Sequence, residues 1–189
     1  GMNPRTGTKY FGKIFGRMDG FNKDARRLAG PDRIEQSKIY LVPPGTALPA
    51  TYTPEVARQI EGYAYADTLA IEFQGKYRRA IKWILGLIVA SIAVLHMYVV
   101  HEKWWLMAIY CLILIAASTA YTVAKRLGRW EDKYLDYRAL AEALRVQIYW
   151  RLAGIGKNVS PYYLPQHRSE LDWIRNALRS WTLLRWRQP

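Results

Sequence analysis

The sequence predicts an all-α membrane protein: a two-transmembrane helical hairpin whose long helices extend into a cytoplasmic helical bundle. Two apolar runs, residues 84–100 and 104–123, are separated only by His101, Glu102 and Lys103. At about 1.5 Å per residue, each run is long enough to cross a hydrocarbon layer of about 30 Å. Neither run contains Asp, Glu, Lys or Arg, whereas a soluble core helix normally keeps a polar face. The predicted spans are residues 82–100 and 104–124.

The charges that flank the two runs predict the orientation of the hairpin. Basic residues stand just before the first run and just after the second, at Arg78, Arg79, Lys82, Lys125, Arg126 and Arg129. The connection between the runs offers only Lys103, which Glu102 balances. Because positive residues accumulate on the cytoplasmic side, both termini of this multi-pass protein are predicted to be cytoplasmic.

The chain has a formal net charge of +13, and this excess lies almost entirely outside the apolar runs. The predicted topology places it beside an anionic lipid leaflet, which attracts Lys and Arg. The lipid bilayer is thus the expected partner, and the charge does not require nucleic acid. The sole cysteine, Cys111, lies within the second run, where a packing or lipid-facing role is expected.

The chain divides into three predicted segments. Residues 1–52 form a leader with one amphipathic helix, which either lies on the membrane surface or covers the bundle. Residues 53–157 form the hairpin and its cytoplasmic stem, beginning at Thr53, Pro54 and Glu55, a typical helix start. Residues 158–189 form a loop and an amphipathic helix. That last helix is expected to dock on the stem, with an interfacial position as the alternative.

No proline interrupts the chain between Pro54 and Pro161, which predicts two long antiparallel helices, from Thr53 to Val100 and from Trp104 to about Arg151. A kink at Gly128 would shift their register. Small residues at matching heights of the two spans predict close helix packing in the membrane; they are Gly86, Ala90, Ala116 and Ala120. The alternative is that such residues are simply common in membrane helices.

The same antiparallel register brings Asp67 to the height of Arg138. Arg138, Glu142 and Arg145 share one helix face through spacings of four and three. The four residues are therefore predicted to form an ion-pair ladder in the stem. This ladder either is partly buried and sets the helix register, or is an ordinary solvated row that contributes little.

The sequence offers no support for catalysis. His96, His101 and His167 do not have a metal-ligand spacing, and nucleotide-binding, thiol-redox and zinc-hydrolase motifs are missing. The stem carboxylates Glu131, Asp132 and Asp136 are predicted to form a solvated face beside basic residues. We therefore expect a protein that is not an enzyme and that has no cofactor or metal.

Two helices cannot enclose a water path, so any pore requires a homo-oligomer. The candidate pore-lining residues are the few polar side chains of the spans, Ser91, His96, Ser118 and Thr119. Two alternatives remain. One is a membrane anchor or scaffold for a cytoplasmic partner; the other is a small channel or transporter subunit, which the lack of an intramembrane acid disfavours.

The stem resembles a known family. The pattern of an aromatic residue and Arg, followed by Ala-Glu and Leu-Arg, is present as Tyr137, Arg138, Ala141, Glu142, Leu144 and Arg145. With the segment before the first run and the closing segment 169–180, it resembles the SLATT superfamily, the SMODS- and SLOG-associating two-transmembrane effector domains. The similarity covers about residues 60–180 and depends on the order of elements more than on one motif.

This resemblance implies a membrane effector of a bacterial nucleotide-linked conflict system, which acts against phage. Such an effector would oligomerise in the inner membrane and form a pore or disrupt the bilayer. It also implies a nucleotide-sensing partner, either a separate protein or an upstream sensor domain. The leader of about fifty residues is shorter than such a domain, so a separate partner, or a longer parent chain, is expected.

Overall fold

The computed structural model describes residues 4–46, 52–127, 129–157, 173–174 and 176–177. Within these ranges every regular element is helical, which confirms the predicted all-α class. The elements are α1 (Pro4–Leu28), α2 (Pro31–Leu41), α3 (Pro54–His101), α4 (Trp104–Thr122), a π-helical segment (Val123–Leu127) and α5 (Trp130–Leu152). The chain divides into two compact units: the apolar unit, Ile71–Tyr134, and the packed unit, which contains the described residues on either side of it.

Helix α3 has the bounds that its sequence signals predict, to within one residue. Thr53 precedes the helix and its Oγ1 accepts a hydrogen bond from the Val56 N–H at 3.5 Å, while Pro54 occupies the first helical position. The helix ends at His101, and Glu102 then adopts a left-handed φ of 50°. The Glu102 N–H still bonds the Tyr98 carbonyl at 2.8 Å. The two-residue connection then starts α4.

The predicted continuous second helix, from Trp104 to about Arg151, is wrong. Helix α4 ends at Thr122, the chain continues as a π-helical segment, and Arg129 has a φ of 46° before α5 begins at Trp130. The Thr122 hydroxyl also donates to the Ser118 carbonyl at 2.9 Å, a contact that bends helices. The interruption lies between Thr122 and Trp130, in the stretch of sequence that contains Gly128.

The packed unit has a continuous apolar core on facing sides of α3 and α5. Leu69, Leu140 and Ile148 are completely buried. On α1, Ile14 and Phe21 are also buried. Of the two roles left open for the leader helix, α1 thus covers the core of this unit.

The last predicted helix lies mostly outside the described residues. Its described part contributes Trp173, Ile174 and Ala177, which are all buried. The ring of Trp173 packs edge-on against Tyr137 at a centroid distance of 6.4 Å. This contact is with α5, as docking on the stem requires.

The apolar unit leaves its most hydrophobic residues uncovered. Both α3 and the chain from Trp104 onward are long and apolar enough to cross a membrane, yet only 6% and 11% of their most apolar 18-residue windows are buried. Exposed fractions reach 67% at Val89, 63% at Ile92 and 64% at Leu112. A core helix of a soluble protein would instead be mostly buried.

The less exposed residues of the apolar unit follow a regular pattern. They recur at alternating spacings of three and four on both helices: Ile84, Leu87, Ser91, Val94 and Tyr98 on α3, and Leu106, Tyr110, Ile113, Ala117 and Ala120 on α4. This spacing is typical of helices packed side by side along one seam. We call these residues the inner seam.

Candidate functional site: stem ion pairs and exposed apolar faces

The structure brings the four predicted ladder residues together. Arg138 Nη1 lies 3.2 Å from Asp67 Oδ1, and Arg138 Nη2 lies 2.8 Å from Glu142 Oε1. Glu142 also pairs with Arg145 through its second oxygen. The Asp67 side chain is only 6% exposed, whereas that of Arg138 is 47% exposed. The row is therefore anchored at a buried acid and open to solvent at its arginines.

Asp67 has a second partner that the sequence pattern did not indicate. The Ser37 hydroxyl of α2 donates to Asp67 Oδ2 at 3.1 Å and also lies 3.1 Å from the Thr68 hydroxyl. Both Ser37 and Thr68 are buried. Nearby, burial and then the charge of Asp67 raise the pKa of Tyr63. Asp67 thus joins α2, α3 and α5 at one point.

Two more polar contacts tie α1 to α5. The Tyr137 hydroxyl donates to Asp24 Oδ2 at 2.7 Å, and Arg17 Nη1 lies 3.1 Å from Asp136 Oδ2. The prediction that Asp136 belongs to a solvated face is therefore wrong, because its side chain is only 20% exposed and pairs with α1. Of its two companions, Asp132 is exposed and pairs with Arg129 at 3.0 Å, while burial and then Glu131 raise the pKa of Tyr77.

The residues of the family-like motif divide into two faces of α5. Tyr137, Ala141 and Leu144 are at most 4% exposed and lie in the core. The other three, Arg138, Glu142 and Arg145, form the ion-pair row. In this chain the motif therefore serves packing and ion pairing within the packed unit.

The predicted membrane-packing residues are mainly on the outside of the single chain. Gly86, Ala90 and Ala116 are exposed, and only Ala120 belongs to the inner seam. A Cβ at Gly86 would meet no atom within 4 Å. A close helix approach at Gly86 therefore does not occur within the described chain, which leaves this position free for contacts with another molecule.

The candidate pore-lining residues also separate. Ser91 is 4% exposed, lies on the inner seam and donates to the Ile88 carbonyl at 2.7 Å, so it does not line an outer surface in this arrangement. His96, Ser118 and Thr119 are exposed. The Thr119 hydroxyl donates to the Ile115 carbonyl at 2.8 Å, which satisfies it within its own helix.

The packed unit contains an open cavity of about 660 Å³ between α1 and α3. Small residues form much of its lining, and Arg26, Arg58 and Glu61 supply its charged groups. Within the part of the chain that the structure describes, no three His, Cys, Asp or Glu side chains cluster in a way that would hold a metal ion. Of the histidines, His167 lies outside the described residues.

Comparison of the chain with protein-family models, with curated proteins and with solved structures gives no match.

Removing Asp67 and Arg138 separately and together is expected to give coupled losses of stability. Because Asp67 is buried and Arg138 is its charged partner, Asp67→Ala and Arg138→Ala should share an interaction of roughly 1 kcal/mol. The measurement is the free energy of unfolding of the full chain in detergent. The exposed pair of Glu35 and Lys38, 3.4 Å apart, is the control cycle and should show almost no coupling. Strict additivity at Asp67 and Arg138 would contradict the prediction.

Proposed function

We propose that the apolar unit inserts into the bacterial inner membrane as a two-span hairpin with both termini cytoplasmic. The packed unit is then a cytoplasmic bundle. The chain acts without catalysis, as an effector that self-associates and permeabilises the membrane when a nucleotide-sensing partner is activated. This partner belongs to a conflict system directed against phage.

A single observation carries the membrane part of this proposal: the most apolar windows of the chain are almost entirely uncovered. Monomeric soluble proteins rarely expose a contiguous apolar patch larger than a few hundred Å². Here exposed large side chains occur along both helices, including Val89, Ile92, Leu112 and Ile115. A hydrocarbon layer covers such a surface without any further protein.

The charged and aromatic residues around the apolar windows support the same orientation. Arg78, Lys82 and Lys125 are exposed at one end of these windows. Trp104 and Trp105, 80% and 48% exposed, stand at the other end. Basic residues favour the cytoplasmic interface, and tryptophan favours the boundary between lipid and water.

Self-association is supported by the outer surface of the apolar unit. One hairpin cannot form a pore, because its backbone and lipid-facing sides must both be satisfied. Gly86 presents an open surface on which a second helix can approach closely. His96, Ser118 and Thr119 are exposed polar positions of the two helices that a multimer would turn toward water.

A sensor partner is inferred from the resemblance of the stem to the SLATT superfamily. The packed unit supplies an element through which such a partner can act, because the ion pair of Asp67 with Arg138 connects α3 with α5. The α3 helix runs without interruption from Asp67 into its apolar window. A partner that displaces α5 would therefore act on the helix that enters the membrane.

A second function, a membrane anchor for the packed unit, is favoured by a different observation. The Thr119 and Thr122 hydroxyls each donate to a carbonyl four residues earlier. A hydroxyl that is hydrogen-bonded within its own helix can face lipid, because it does not need water as a partner. An anchor predicts insertion without any change in membrane permeability.

The test is depolarisation of bacterial cells that express the chain together with its activated partner, and dye release from liposomes that contain the purified oligomer. Gly86→Leu is expected to abolish both without loss of insertion, because the new side chain meets open space in one chain and blocks approach of the next. Gly75→Leu, in the same helix and also with open space at Cβ, is the matched control. Full permeabilisation by Gly86→Leu would refute packing at this site. If the unchanged chain inserts but does not permeabilise the membrane, the anchor function is favoured.

A further inference from the structure

Two cations at the inner end of the apolar unit have no acidic partner among the described residues. Three acids are described there, and each already has a partner. Glu72 pairs with Lys76 at 3.4 Å, Asp132 pairs with Arg129, and Glu131 interacts with the Tyr77 hydroxyl, whose pKa burial and then Glu131 raise. Glu131 and Asp132 also act on Lys125, so among the described residues no acid is paired with Arg78 or Lys82.

These two cations stand on one face of α3. Arg78 and Lys82 are four residues apart and exposed, and neither has an ion-pair or hydrogen-bond partner among the described residues. Like charges at this spacing repel each other on a helix. Arg78 and Lys82 are therefore two neighbouring cations without a counter-charge, and together they would attract an anion.

A third cation of this end, Lys125, has partners of its own. Lys125, after α4, lies 5.6 Å above the ring of Tyr121. Its charge also acts on Tyr77, the residue that precedes Arg78, where burial and Glu131 together raise the pKa of the hydroxyl. The pair on α3 is therefore the basic patch of this end that has no partner, and we call Arg78 and Lys82 the basic collar.

The surroundings of the basic collar identify the anion. Trp83, the residue after Lys82, is 72% exposed, and Tyr121 is 51% exposed. Exposed aromatic rings at the start of an apolar window prefer the level of lipid headgroups. A ligand that pairs with Arg78 and Lys82 next to the exposed ring of Trp83 carries a phosphate group attached to acyl chains. A free phosphate ion would leave the rings uncovered.

We infer that the basic collar is a binding site for the phosphate headgroup of an anionic phospholipid. This inference deepens the proposed function and rests on its membrane insertion. A lipid bound there would offset the repulsion between Arg78 and Lys82. It would also fix the depth at which α3 leaves the bilayer.

The experiment is native mass spectrometry of the full chain, purified in nanodiscs that contain phosphatidylglycerol and phosphatidylcholine in equal amounts. We expect retained phosphatidylglycerol to exceed phosphatidylcholine. Each Lys or Arg near an anionic surface contributes a factor of roughly five in affinity. The double variant Arg78→Gln with Lys82→Gln should therefore lower the affinity for phosphatidylglycerol roughly 30-fold.

The matched control is Lys23→Gln with Arg27→Gln, which removes the same charge from two exposed residues four apart in α1. It should retain phosphatidylglycerol like the unchanged chain. Equal losses in both double variants, or no loss in the collar variant, would overturn the site. Displacement of the retained lipid by millimolar glycerol phosphate would instead reveal a site for free phosphate and overturn the lipid assignment.

Extraction of the membranes with alkaline carbonate separates failure of this site from failure of the proposed function. Release of the unchanged chain would refute insertion, and the lipid site with it. Retention of the chain together with equal binding of both lipids would refute the site alone.

Discussion

Replacing Ile92 with lysine is expected to prevent stable insertion of the first span. Ile92 is 63% exposed in the single chain, so in water this substitution would change the free energy of unfolding by no more than about 0.5 kcal/mol. At the centre of a bilayer, lysine costs about 2.5–3.5 kcal/mol. The variant should therefore shift from the carbonate-resistant membrane fraction to the extracted or degraded fraction.

Ile71→Lys is the matched control for this result. Ile71 is also an isoleucine of α3 and is 51% exposed, but it precedes the predicted span. We expect Ile71→Lys to remain in the membrane fraction at the level of the unchanged chain. If both variants stay soluble and folded without detergent, the exposed windows are covered by protein and not by lipid, and the membrane proposal fails.

The bounds of the first long helix could be predicted because local signals set them. Pro54 starts α3, and the polar residues after Val100 end it, so no tertiary information was needed. The pairing of Asp67 with Arg138 could also be predicted, because the short connection between the two runs sets which residues of the antiparallel helices lie at about the same height. This pairing survives the break after α4.

The partners supplied by α1 and α2 could not be predicted in the same way. The spacing of Ile14 and Phe21 indicates which face of α1 is apolar, but it does not say which residue of α5 lies opposite. The contacts of Asp24 with Tyr137 and of Arg17 with Asp136 depend on how α1 packs. A usable signal was the row of charges at Arg17 and Asp24, which flanks the apolar face.

Ser91 shows a different limit of the sequence. Its polarity suggested a pore-lining role, yet the structure buries it and its hydroxyl bonds within α3. The direction of a small polar residue in an apolar helix depends on which face meets the neighbouring helix. The alternating spacing of the inner seam would have placed Ser91 on that face.

Shortening Tyr137 is expected to give the largest loss of stability in the packed unit. Its ring is 4% exposed and packs edge-on against Phe21 at a centroid distance of 5.4 Å. Its hydroxyl donates to Asp24 at 2.7 Å. Tyr137→Ala should therefore lower the free energy of unfolding by about 3–5 kcal/mol, and Tyr137→Phe, which loses only the hydrogen bond to a carboxylate, by about 1–3 kcal/mol.

Chemical denaturation of the full chain in detergent measures both losses. Tyr149→Phe is the control, because Tyr149 lies in the same helix but is 50% exposed, and it should change stability by less than about 0.5 kcal/mol. Equal effects of Tyr137→Phe and Tyr149→Phe would show that the bond to Asp24 does not stabilise the fold.

The pH dependence of the same variants tests the hydroxyl independently. Burial, and then the hydrogen bond and charge of Asp24, raise the pKa of Tyr137 above its usual value. The unfolded chain therefore loses this proton near pH 10 while the folded chain keeps it, so stability is unaffected below that pH and falls as the pH rises above it. For each such tyrosine, the free energy of unfolding falls by about 1.4 kcal/mol per pH unit above pH 10. In Tyr137→Phe, the free energy of unfolding should fall less steeply above pH 10, by the share of one tyrosine. If it falls as steeply as in the unchanged chain, the Tyr137 hydroxyl is in contact with solvent in the folded state.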